Sequence, residues 1–156
     1  MKELSENEAL YKAAAYCSAA EHCRGEMEDK LEAWEIEPEA KARILKRLVD
    51  EKYIDDARYC RCFVKDKFKF NKWGKIKISQ ALWQKRIAQH IAVQELATID
   101  EEEYMNTLHE LLAARKKTIK ANSDYELNGK LIRFALGRGF EMNIIQRCVK
   151  MPDDED

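Results

Sequence analysis

The sequence predicts an all-α protein of three tandem three-helix repeats, each similar in layout to a helix-turn-helix, set in an elongated, curved array. Three observations lead there. Only five glycines and two prolines occur among 156 residues, too few turn-formers for the many tight connections of a β-sandwich or barrel. Helix-start signals recur along the chain. One apolar pattern spanning two helices returns three times without gaps, as the sequence of a repeat protein must.

The first signal is Ser5 with Glu8, the spacing of a capping box, in which each side chain satisfies an orphan backbone N–H. It opens a helix over about residues 6–21. The repeated pattern follows. Met27, Leu31, Ile36, Ala40 and Leu45 match Ile78, Leu82, Ile87, Ile91 and Leu96, which lie 51 residues on. After a further 53 residues the same places hold Leu131, Ala135, Phe140, Ile144 and Val149. Size varies, but apolar character is kept at every position, so each segment reads as helix, turn and helix.

Pro38 suits the first turn of a helix that ends near Lys52, where its missing N–H costs nothing. Asp55 and Asp56 cap the next helix, over 55–71, and complement its N-terminal dipole. Asp100 with Glu103, and Ser123 with Glu126, repeat the box. The stretches 6–21, 55–71 and 100–121 each precede one helix pair and complete three units: residues 1–54, 55–99 and 100–151. Residues 152–156 read as an acidic tail, expected to be disordered. Units of this size have small cores, so neighbours are expected to pack on one another or lean on a partner.

The formal net charge of −1 is a sum of unequal parts. Residues 1–56 carry 9 basic and 15 acidic side chains, residues 57–98 carry 10 and 2, and residues 99–156 carry 9 and 12. The middle repeat is a basic island, which points to a polyanionic partner.

Within it, Arg58, Arg61, Lys65, Lys69 and Lys72 recur at steps of three or four and share an arc of about 80° on a helix. Tyr59, Cys60, Phe63, Val64 and Phe70 take the opposing arc and are expected to be buried. Trp73 and Gly74 mark the turn, and Lys75, Lys77, Lys85 and Arg86 continue the cationic run. These cations suit a phosphate backbone or an acidic protein groove. Trp73 is either a stacking platform for a base or a packing lid. On the following helix Ile78, Ala81 and Leu82 form one apolar edge, while Ile76 and Trp83 form a second. A neighbouring unit or a docked protein is expected to cover that second edge.

Cys17, Cys23, Cys60, Cys62 and Cys148 are an odd set without a CxxC pair and read as small buried side chains rather than a disulfide framework. Cys60 and Cys62 lie about 200° apart on a helix, the wrong geometry for one shared metal ion. Neither Asp55-Asp56 nor His22, His90 or His109 has a visible catalytic partner set, and no phosphate loop is present. The expectation is a protein without catalytic residues, cofactor, metal or small-molecule substrate. No apolar run approaches the roughly 18 residues a membrane span needs, and no signal segment is visible, so a cytosolic location is expected.

The run Tyr53-Ile54-Asp55-Asp56-Ala57-Arg58-Tyr59, followed by Phe63-Val64, resembles the central signature of the RecX family. Lys72-Trp73-Gly74, Ile78, Gln80, Leu82, Gln84-Lys85 and Ile87 continue the likeness. Lys130, Ile132, Arg133-Phe134 and Arg138-Gly139-Phe140 extend it into the last repeat. The resemblance covers Ala9 to Lys150 and departs at Glu35 and Arg86, where the family usually has glycine.

It implies a bacterial regulatory protein of homologous recombination, DNA repair and the SOS response. Such a protein lies in the groove of the RecA filament and limits its ATP hydrolysis and strand exchange. The partner implied is the RecA filament, with single- or double-stranded DNA touched through the basic middle repeat. The competing reading is a generic helical DNA-binding protein that uses the same cations without RecA and binds naked duplex equally well.

Overall fold

The structure, a computed structural model, describes residues 4–150; the expected acidic tail lies outside them. The helices are α1 (Glu6–Ala19), α2 (Arg24–Ala33), α3 (Pro38–Asp50), α4 (Asp56–Lys69), α5 (Lys75–Gln84), α6 (Gln89–Leu96), α7 (Glu101–Lys116), α8 (Asp124–Gly137) and α9 (Met142–Ile145). No strand occurs among the described residues, and no described helix is long and apolar enough to cross a membrane. Taken three at a time, these helices make the three tandem repeats.

The helix starts follow from the capping residues. Ser5, Asp100 and Ser123 each accept the backbone N–H three residues on, at 3.1, 3.0 and 3.1 Å. Asp55 does the same for Arg58 at 3.0 Å. Asp56 behaves differently from its expected role on α4, because its carboxylate accepts Arg24 N–H at 2.8 Å and so caps α2. The two adjacent aspartates start two different helices.

Of the repeated apolar positions, Met27, Leu31, Ala40, Leu45, Ile78, Leu82, Ile87, Leu96, Leu131, Ala135, Phe140 and Val149 are buried. Ile36, Ile91 and Ile144 are half-buried. The repeat in sequence is therefore a repeat of core positions.

Packing gathers the described residues into two compact units. The first comprises residues up to Phe63 together with Leu82–Ala92. Ala9, Ala13 and Cys17 of α1 meet Met27 and Leu31 of α2, Ile44, Leu45 and Leu48 of α3, and Ile54. The small side chains on α1 let its backbone come close. The second unit comprises Val64–Ala81 and the residues from Val93 onward. There Tyr104 of α7 stands between Phe68 and Phe140, with ring centroids 5.7 and 5.1 Å away. Leu108 and Leu112 of α7 and Leu131, Ile132 and Ala135 of α8 are buried as well.

The central helix departs from the sequence reading at Phe70, and buries Phe68, which that reading did not single out. Phe70 is 79% exposed and Phe68 only 3%. α4 ends at Lys69, so the helical wheel no longer places Phe70, while Cys60, Val64 and Phe68 follow one another at four-residue steps along the buried side. Cys17, Cys23 and Cys60 are buried as expected, but Cys62 is exposed and Cys148 half-buried. Cys62 lies about 200° around α4 from buried Cys60, on the same side as the exposed lysines, which explains its exposure.

At the turn between the second and third helices of each repeat, Glu35, Arg86 and Gly139 have φ of 59°, 62° and 94°. This left-handed backbone crowds a Cβ, at a cost of roughly 1–2 kcal/mol for most residues. Glu35→Gly is therefore expected to stabilise the protein by about 1 kcal/mol, after glycine's own entropy is allowed for. A thermal melt unchanged or lowered by this substitution would contradict the strain.

Candidate protein and nucleic acid interface

The ten candidate residues separate into those spent on the fold and those presented to solvent. Arg58, at the start of α4, belongs to the first group. Its Nε meets Glu21 Oε1 at 2.7 Å, and its other nitrogens donate to the Lys52 and Tyr53 carbonyls. Arg61 is exposed on the same portion of the helix.

Lys65 and Lys69 lie on the portion of α4 within the second unit, one helical turn apart and exposed. Among the described residues neither has an ion-pair partner. Lys72, also exposed, follows at the turn with φ 56°. Lys69 and Lys72 border an open cleft of about 550 Å³ whose opposite wall includes Asp100, Glu102, Glu103 and Glu110. These acids on α7 weaken the positive field at the end of the stripe, so Lys65 stands in the more cationic setting.

Trp73 is half-buried, with Lys67 Nζ 5.0 Å and Lys77 Nζ 4.6 Å from its ring centre. Lysines occupy the ring faces, an arrangement worth about 0.5–1 kcal/mol each at exposed sites. Lys75 Nζ stands 5.1 Å over the Tyr104 ring.

Lys85 and Arg86 fasten the second repeat to the first within the first unit. Lys85 Nζ meets Glu26 Oε2 at 2.9 Å. Arg86 donates to the Gly25 carbonyl at 2.6 Å and to Asp29 at 2.9 Å. The turn sits so close to α2 that a Cβ on Gly25 would lie 2.4 Å from the Lys85 carbonyl oxygen.

The same device recurs within the second unit. Gly74 N–H and Ile76 N–H, at the start of α5, donate to the carbonyls of Arg138 and Gly139 at 2.8 and 2.9 Å. Arg138 in turn donates to the Asn71 and Lys72 carbonyls. In both joints the turn of one repeat docks on the N-terminus of the second helix of the repeat before it.

Glu26 is the polar centre of the first joint, accepting Cys23 N–H at 3.2 Å and Lys85 Nζ, with His22 Nδ1 3.3 Å away. Burial raises its pKa, but the hydrogen bonds from Lys85 and the Cys23 backbone outweigh that and hold it below the ordinary 4.5. A lowered native pKa stabilises the fold above the unfolded value, and that contribution is lost as pH falls through the native one. Glu26→Gln is expected to cost about 1 kcal/mol near neutral pH, discounting for solvent at Lys85, and to flatten the acid limb of stability against pH. Denaturant midpoints between neutral pH and pH about 3 check this; an acid limb as steep as the parent's would remove Glu26 from that role.

Sequence reasoning also missed Tyr104. It is buried, its hydroxyl accepts Lys75 N–H at 2.8 Å, and it donates to the Glu141 carboxylate. Burial first, and the Glu141 contact second, raise its pKa. Tyr59 and Tyr104 each follow a capping aspartate by four residues, a shared spacing that was visible in the sequence.

Trp83 is 75% exposed and Ile76 42% exposed, so among the described residues no neighbouring repeat covers either. Trp83 and Ile87 line an open cleft of about 640 Å³ within the first unit. No three His, Cys, Asp or Glu side chains among the described residues gather closely enough to hold a metal ion.

Three family models match in chain order: RecX first three-helix domain over residues 9–48, second over 55–96 and third over 101–149. The chain belongs to the RecX family. A regulatory protein RecX of Clostridium botulinum (strain Alaska E43 / Type E3) is 33% identical over 96% of this chain and 73% of its own length. Another, from Clostridium botulinum (strain Eklund 17B / Type B), is 31% identical over 80% of this chain, and the match spans 59% of that relative.

Two RecX crystal structures share the fold. RecX from Lactobacillus salivarius superposes with a TM-score of 0.81 at 23% identity, over 92% of this chain and 93% of that one. A second, a regulatory protein RecX, gives 0.82 at 20% identity over 91% and 73%. Membership of RecX makes the three-helix repeats the family's own domains.

Proposed function

We propose that this RecX-family chain regulates the RecA recombinase by binding its filament on DNA, with the exposed α4 face of Lys65 and Lys69, extended by Lys72, meeting the polyanionic partner. The observation that carries the reading is the contrast among the cations. Arg58, Lys85 and Arg86 are held in ion pairs, while Lys65 and Lys69 face solvent in register. Like charges one helical turn apart repel by a few tenths of a kcal/mol, a cost that a polyanionic partner offsets. Exposed Trp83 supplies an aromatic anchor of the kind that protein interfaces favour. The chain acts as a binder, and changes in ATP turnover occur on RecA.

The test replaces Lys65 and Lys69 with Glu and measures RecA ATP hydrolysis on single-stranded DNA, strand exchange, and binding to the filament and to naked DNA. Apparent affinity for the filament should fall at least about tenfold at low salt, with helical content unchanged. If phosphates are the direct target, the slope of log K against log salt falls by roughly one unit per lost contact on naked DNA too. If RecA carboxylates are the target, naked-DNA binding hardly changes. Equal binding of the parent to naked duplex and filament would establish the RecA-independent DNA binder instead. A double variant that inhibits like the parent at low and moderate salt would overturn the assignment of this face.

A further inference from the structure

We propose that Cys148 and His109 form a thiol-modification site that takes a small anionic disulfide into mixed-disulfide linkage. The two residues belong to the second unit, His109 on α7 and Cys148 just after α9. Cys148 Sγ lies 3.7 Å from His109 Nε2. Both line an open cleft of about 290 Å³, together with Lys116, Lys150 and Asn128 around a floor that includes Leu112.

The chemistry distinguishes this thiol from the other four. Cys17, Cys23 and Cys60 are buried, and burial pushes the Cys23 thiol up to about 11. Cys62 is exposed, but no base in contact with it is described. Reactive cysteines sit in partly exposed, electropositive surroundings. Cys148 is half-buried beside an imidazole, and Lys116 and Lys150 line the same cleft. Burial raises its thiol pKa and Arg147 opposes that, so at rest the group is a thiol and an adjacent base matters.

In the tautomer with hydrogen on Nδ1, His109 Nε2 takes the Cys148 proton. The thiolate attacks one sulfur of the incoming disulfide, a new S–S bond forms and the old one breaks. The displaced thiolate takes the proton from the imidazolium and leaves as a thiol. The Cys148 sulfur is oxidised by one formal unit on entering the mixed disulfide, and the departing sulfur, which leaves with the electron pair of the broken S–S bond, is reduced by one. Lys116 and Lys150 favour a reagent bearing carboxylates, and the cleft has room for the half that stays.

The test incubates the full chain with oxidised glutathione, which carries carboxylates, or with the cationic disulfide cystamine, and follows each cysteine by mass spectrometry. With oxidised glutathione, Cys148 should be modified about tenfold faster than Cys62. With cystamine that preference should vanish. His109→Gln should slow Cys148 about tenfold without changing Cys62, whose rate serves as the internal check on the fold. A Lys116→Gln/Lys150→Gln variant should lose the anion preference while retaining the His109 dependence, and added salt should act like that variant. Modification of Cys62 first, or a Cys148 rate indifferent to His109, would overturn the proposal.

Discussion

Gly74→Ala should destabilise the protein by about 3 kcal/mol or more, because the new methyl group would meet backbone rather than movable side chains. A Cβ at Gly74 would lie 2.3 Å from the carbonyl carbon and oxygen of Gly139 and 2.4 Å from Phe140 N. No rotamer relieves such contacts. The α8–α9 turn must move off α5, which breaks the hydrogen bonds from Gly74 N–H and Ile76 N–H, each worth roughly 1 kcal/mol. For a chain of this size the melting temperature should fall by roughly 10 °C.

Gly129→Ala is the matched comparison. No atom lies within 4 Å of the Cβ it would add, and Gly129 stands inside α8. There alanine should stabilise by about 0.5–1 kcal/mol through helix propensity. A Gly74→Ala variant that melted with the parent would show that this close approach does not hold the repeats together.

Phe140→Ala should cost about 3–5 kcal/mol, since the ring is fully buried and its removal leaves a cavity that the helices cannot wholly close. Its neighbour Tyr104 would lose the ring 5.1 Å away that helps fix it, and with it the orientation of the hydroxyl that bonds Lys75 N–H and Glu141. Phe140→Leu, which keeps most of the volume, should cost under about 1.5 kcal/mol. Phe70→Ala should change stability by no more than about 0.5 kcal/mol, because that ring is 79% exposed. Chemical denaturation of the three variants decides the order. Equal losses for Phe140→Ala and Phe70→Ala would place the core elsewhere.

The repeat was legible because burial is periodic: a position facing the core must be apolar in every copy, as at Met27, Ile78 and Leu131. Capping was legible for a similar reason, since Ser5, Asp100 and Ser123 act on N–H groups only three residues away. The fate of the cations was not. Lys65 and Lys85 look alike in sequence, yet Lys85 finds Glu26 across a separation of 59 residues. Such pairings depend on how repeats dock, and no local pattern encodes them. Phe70 was placed on the buried arc because a helical wheel assumes that the helix continues, and α4 stops at Lys69; Phe68, which the reading did not single out, is the buried ring. The glycines at 74 and 139 were visible, but their need arises from two backbones meeting.

The two joints between repeats share a layout but differ in how they are fastened. At the first, Lys85 and Arg86 clamp onto Glu26 and Asp29 through charge. At the second, peptide groups of Gly74 and Ile76 bond those of Arg138 and Gly139, with glycine on both sides of the seam. Mobile ions compete with the former and leave the latter largely untouched. On the proposed reading, in which the partner is a polyelectrolyte whose ion atmosphere changes with every bound phosphate, the first joint is the electrolyte-responsive one and the second is far less sensitive to its ionic surroundings.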